Sequence, residues 1–209
     1  MKTLALSLVF AAISGNAAEI QAFFAMQMPT DVEIKKNEKE IELENEYHSG
    51  LVLGGGVEYL MSAEFGPFQY GGGLGFMSSQ QDTDDGELAP CALPLWGALS
   101  LIGKKDTWLA YPYVGTRIGW LLPLTTDGNW WEKPLNYMIS ANLGVKFPFH
   151  AGLEINYTYV FMEKSYDSRD LTFRTYSGRF GVAITGQFDI SWDRFLGGEK
   201  DLDDLEDEE

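Results

Sequence analysis

The chain contains a single cysteine, Cys91, so no internal disulfide can staple the fold. It reads as a small apolar side chain, with pairing to a second chain as the alternative. Histidine is nearly as scarce. Only His48 and His150 occur, and catalysis through a His–Ser–carboxylate arrangement would have to use one of them. Positive charge is also in short supply: 15 Lys and Arg stand against 31 Asp and Glu, for a net charge of −16. Such a chain lacks the basic footprint that nucleic acid requires. Beyond the N-terminus, no apolar run is long enough for a spanning helix.

The acid is concentrated rather than spread. Glu199–Glu209, Pro29–Ser49 and Gln81–Ala89 together carry fifteen of the sixteen net negative charges. The remainder is nearly neutral, which marks the acidic segments as loops and a tail. The tail, residues 193–209, has the composition of a disordered segment.

What the chain does have is glycine, aromatics and alternation. Gly accounts for 23 of 209 residues and aromatics for 14%. In Ser177–Trp192, Phe180, Val182, Ile184, Phe188, Ile190 and Trp192 fall on one parity. Arg179, Gly181, Ala183, Thr185, Gln187 and Asp189 fall on the other. A period of two is a strand with two unlike faces. The same rhythm recurs in Glu19–Met28, Gly50–Met61, Phe68–Met77, Leu93–Leu101, Trp108–Leu122, Asn136–Phe147 and Phe149–Phe161. Repeated Gly, as in Gly54, Gly56, Gly71, Gly73 and Gly75, would leave room for long side chains across an interior.

Connections alternate between long and short. Pro29–Ser49, Ser78–Pro90, Pro123–Pro134 and Met162–Leu171 are long; Ser62–Pro67, Gly103–Thr107 and a turn at Pro148 are short. The first long connection keeps a strand-like rhythm that suggests a hairpin turning near Asn37, against the alternative of a solvated charged loop. Ahead of the first strand, Met1–Ala18 has Lys2, an apolar run Leu4–Ile13 and then small residues, the pattern of a secretory signal peptide cleaved after Ala17 or Ala18.

Eight strands with alternating long and short connections predict an all-β, eight-stranded antiparallel up-and-down transmembrane β-barrel over residues 19–192. Alternation alone does not say which face is inside, since a lipocalin-type barrel alternates equally. The faces decide it. The bulky row is nearly free of charge, while the other holds Glu58, Arg117, Lys146, Glu154 and Arg179. A narrow eight-stranded interior fits Gly, Ala and a few charged chains but not the aromatic row.

With its strands and faces in place, the chain resembles the eight-stranded outer-membrane barrels of Gram-negative bacteria, the OmpA membrane domain and OmpX among them, and the broader family of outer-membrane protein β-barrel domains. Leu93-Pro94-Leu95-Trp96, then Tyr111-Pro112-Tyr113-Val114-Gly115 and Gly119, look like that family's fourth and fifth strands. The closing strand looks like its C-terminal insertion signal, although some twenty residues follow Phe188 here. The resemblance implies an outer-membrane location with both termini periplasmic. Its implied partners are lipid, lipopolysaccharide, the barrel-assembly machinery and extracellular partners of the long loops. It also implies a monomer without cofactor.

Both signs of charge in a narrow lumen call for pairing, because an unpaired buried charge is costly. Glu58 and Glu154 are therefore expected to pair with Arg117, Lys146 and Arg179, as a plug or as the gate of a small conductance. No metal site is assigned. Asp82, Asp84, Asp85 and Glu87 only loosely resemble a calcium loop. His48, near Ser49 and Glu46, is the one candidate for a lipid-modifying enzyme, and neighbours on a strand face opposite ways. Trp108, Trp120, Tyr137, Tyr157 and Tyr159 suit interfacial girdles, as do Trp130 and Trp131 unless that pair is a carbohydrate platform. The favoured function is a structural or surface-interaction barrel with a plugged polar lumen. A narrow channel for ions or small apolar solutes is second, and a lipid-modifying enzyme third.

Overall fold

A computed structural model describes residues 18–29, 33–36, 39–40, 50–63, 66–78, 91–103, 110–124, 136–166 and 171–190. They form one antiparallel sheet that closes on itself. Its strands are β1 (Ala18–Gln27), β2 (Glu33–Lys36), β3 (Lys39–Glu40), β4 (Val52–Ser62), β5 (Phe68–Met77), β6 (Ala92–Ile102), β7 (Tyr111–Pro123), β8 (Tyr137–Phe147), β9 (Ala151–Tyr166) and β10 (Leu171–Ile190). Each long strand pairs with the next, and β1 returns to β10 from Ala18↔Ile190 to Gln27↔Gly181. Eight strands therefore make a closed barrel, which satisfies the backbone hydrogen bonds without leaving an edge.

The faces follow parity. Leu74, Ile118, Trp120, Phe180 and Ile184 point outward and are each more than half exposed. Gln21, Glu58, Arg117, Lys146, Glu154 and Arg179 point inward and are buried. A water-soluble protein would bury the first set and expose the second. This inversion is stable only where the outer surroundings are apolar, and most of the barrel strands have the length that a tilted membrane crossing needs. No helix among the described residues is long and apolar enough to cross a membrane. Outward rings cluster near both ends of the wall. Tyr137, Phe161 and Tyr176 form a row with centroids 5.0 and 5.1 Å apart at the long-loop end, and Phe147 stacks on Phe149 at 5.2 Å at the other.

One connection differs from what alternation suggests. Residues Met162–Leu171, read as a long loop, are largely strand: β9 continues to Tyr166 and β10 begins at Leu171. Past Phe161 the row that carries apolar side chains takes up charge: Glu163, itself buried, pairs with Arg174 opposite it on β10 at 2.9 Å. The first connection does contain a hairpin, β2–β3, with Lys36 opposite Lys39. Strand β2 pairs with Phe173–Tyr176 of β10 and takes over the edge that β1 leaves at Gln27.

β1 already includes Ala18, opposite both Ile190 and Met61. Residues 193–209, 79–90, His48, Trp108, Trp130 and Trp131 lie outside the described residues.

Candidate functional site: the filled lumen

Inward side chains fill the barrel in three layers. The middle layer is built on Arg117 of β7. Its Nε donates to Glu58 Oε1 at 2.5 Å, and its Nη1 to Glu154 Oε1 at 2.7 Å. Its Nη2 donates to both carboxylates, at 3.2 Å to Glu58 Oε2 and 3.0 Å to Glu154 Oε2. The planar guanidinium is suited to such bridging, because its donors form a rigid fork. Each carboxylate has one further, neutral donor. Trp96 Nε1–H donates to Glu58 Oε1 at 2.6 Å, and the Tyr113 hydroxyl to Glu154 Oε2 at 2.7 Å. Phe23 places its ring 4.5 Å from the Arg117 guanidinium carbon and 5.8 Å from the Trp96 ring. That contact accounts for the one bulky residue on the otherwise small or polar inward face of β1.

The glycines explain how so much bulk fits. A Cβ on Gly73 would lie 2.7 Å from the Trp96 indole, and one on Gly144 would overlap the Tyr113 ring. Both would be well inside van der Waals contact, so each ring packs directly against bare backbone. The glycine run in β5 is the socket for Trp96.

The lower layer, toward the short turns, is centred on Lys146. Its Nζ donates to Glu19 Oε1 at 2.5 Å and to Gln69 Oε1 at 3.3 Å. It also sits 5.4 Å from the centroid of Tyr113, which links the two layers. The upper layer, toward the long loops, is apolar: Val52, Met77, Ala92, Leu121, Met138, Val160 and Met162 form one buried cluster. All are inward residues near the long-loop ends of their strands.

Of the five charges singled out in the sequence, three meet in one cluster, Glu58–Arg117–Glu154. Lys146 meets instead Glu19, an inward carboxylate left out of that set. Arg179 is fully buried on β10, four residues from Ala183, the cross-strand neighbour of Glu154. At about 3.3 Å per residue this offset is about 13 Å toward the long loops. Trp96, Tyr113, Phe23 and Gln69 complete the layers and carry no charge. Parity could have found Trp96, which falls outside the outward row Leu93, Leu95, Leu99, Leu101. The apolar cap had the same signal in Val52, Met77 and Met138. Of the candidate histidines, His150 lies exposed in the turn after β8 with φ of 63°.

No family model and no curated protein matches the chain. Among solved structures it is similar to neisserial surface protein A, at 9% identity over 82% of this chain and 97% of that one, with a TM-score of 0.45. It is also similar to Ail, the attachment invasion locus protein of Yersinia pestis, solved with the heparin analogue sucrose octasulfate. That likeness has 10% identity over 82% of this chain and 99% of that one, with a TM-score of 0.30. The barrel architecture of this chain stands on its own hydrogen-bond ladder.

Proposed function

We propose that the chain is an integral β-barrel of a Gram-negative outer membrane, with a structural or surface-interaction role carried by its long-loop end. The observation that carries this reading is the filling of the lumen. An apolar cap, a charged layer and a second charged layer succeed one another along the axis, and two cavities between the described residues measure about 50 and 10 Å3. Nothing the size of a nutrient passes through such an interior. The wall, by contrast, is built up at the long-loop end, where β9 and β10 outrun the other strands and the β2–β3 hairpin adds to β10.

In this reading both termini lie in the periplasm, and residues 1–17 are the signal peptide. Lipid and lipopolysaccharide surround the barrel, the assembly machinery inserts it as a monomer, and extracellular partners meet the loops. The test is fractionation combined with protease shaving of intact cells. Recovery in the outer membrane with cleavage confined to the long-loop end supports the reading. Recovery as a soluble periplasmic protein overturns it.

One observation favours a narrow channel as a second reading. The two cavities lie on either side of Arg117, which lines both. A swing of that one side chain would join them. Ion current across planar bilayers holding the wild-type protein would favour the channel, and its absence the plug.

A further inference from the structure

Along the barrel axis, the larger cavity is closed by the apolar cap above and by the Arg117 layer below. It measures about 50 Å3 and has two kinds of wall. Gln27, Ser140, Asn156 and Thr158 offer polar groups to it, and Phe23, Met77, Trp96 and Met138 line it with apolar ones. Thr158 donates to Ser140 at 3.1 Å, and Ser140 to Asn142 at 2.7 Å. The Gln27 side-chain oxygen is buried without a hydrogen-bond partner. A buried acceptor left empty is costly, so a donor is wanted there.

The side wall has a weak point at the same height. The β5–β6 ladder runs from Phe68↔Leu101 to Leu74↔Leu95, omits two pairs and resumes at Met77↔Ala92. Every other described ladder between neighbouring barrel strands is continuous. The missing pairs are Gly75 with Pro94 and Phe76 with Leu93. Pro94 has no N–H to give to the Gly75 carbonyl, so one ladder hydrogen bond is absent while the strands stay in register on either side of it. Pro94 lines the cavity, and so do Gly55 and Phe76, which belong to the outward parity. The cavity thus reaches into the thickness of the wall where the ladder is interrupted.

We propose that this cavity binds a small neutral hydroxyl compound, of the size of a short-chain alcohol, which enters sideways from the membrane through the seam at Pro94. The hydroxyl donates to Gln27, and the short alkyl part rests against Met77, Met138 and Trp96. A single water needs about 10–15 Å3 measured in this way, so the space suits roughly three or four heavy atoms. Charged solutes are excluded by the apolar route and apolar cap.

The test uses the full chain in lipid vesicles with Cys91→Ser and a reporter, Ala25→Cys, on an inward residue that lines the cavity. The probes are methyl methanethiosulfonate, which is small and neutral, and its charged sulfonatoethyl analogue. The neutral probe is expected to modify the reporter, the charged probe to leave it intact, and 1-propanol to slow the neutral reaction. Pro94→Val restores the missing donor and should slow modification about fivefold, the factor one net backbone hydrogen bond is worth. Pro94→Ala gives the same readout with a smaller side chain, and heat-modifiable gel migration verifies folding of each. An unchanged rate in both Pro94 variants overturns the lateral route, and equal reaction with the charged probe replaces it with an axial one. Modification that 1-propanol does not slow means that the cavity holds water only, and no modification at all means that it is closed; either result overturns the site.

Discussion

Replacing Arg117 by Met tests the logic of the filled lumen most directly. The substitution keeps a long apolar stem and removes the guanidinium. Four hydrogen bonds to Glu58 and Glu154 vanish together, and both carboxylates are left buried with one neutral donor apiece. Removing one partner from a buried ion pair costs about 3–5 kcal/mol, chiefly because the remaining charge is stranded. The lost stacking on Phe23 adds about 1 kcal/mol. With a urea dependence of about 1–3 kcal/mol per molar, the unfolding midpoint in vesicles should fall by about 2 M. Tryptophan fluorescence and heat-modifiable gel migration both report the transition. The same principle makes a second demand. If stranded charge is the cause, adding Glu58→Gln and Glu154→Gln to Arg117→Met should recover most of the loss, because neutral amides still accept from Trp96 and Tyr113. A loss below about 1 kcal/mol in the single variant, or a triple variant no more stable than the single, would refute the argument.

Three further outcomes follow from the layers and the ladder. Gly73→Ala should destabilise by about 1–3 kcal/mol through overpacking against Trp96, read from the same urea titration. In planar bilayers, Arg117→Met and the cap variant Leu121→Gly with Met138→Gly should pass no current alone or combined, because the Lys146 layer still closes the lumen, whereas adding Lys146→Ala to the combination should open it. Mass spectrometry of the mature protein should find Ala18 at its N-terminus, since cleavage one residue later would remove a residue that is paired on both sides.

The eight crossings were legible because a membrane imposes one rule on every strand, bulky outward and small or polar inward. Phe180 and Arg179 obey it as plainly in the sequence as in space. The rule lapses where the wall leaves the membrane. At Met162 and Glu163 the chemistry of the two rows is exchanged, with an apolar side chain in the inward row and a buried, ion-paired carboxylate in the other, so alternation there looked like a loop. The inward charges were legible by parity, but their partners were not. Which side chains meet across a barrel depends on the stagger of the strands, and no single strand's pattern records that stagger. Thus Lys146 reaches Glu19 from a strand on the far side of the sheet order, and Arg179 lies well away from the carboxylates assigned to it.

β10 has a consequence for the order of assembly. It is the longest strand, from Leu171 to Ile190, and it forms pairs with β9, β1 and β2. The hairpin near the chain's start therefore has no neighbour to lean on until the last strand has been made and docked. Contacts so distant in sequence are the slowest to form, because their loop entropy is spent before they return anything. Closure of the barrel and ordering of the first connection thus become one late event. Whatever the β2–β3 hairpin does, it is withheld from any chain that has not finished folding.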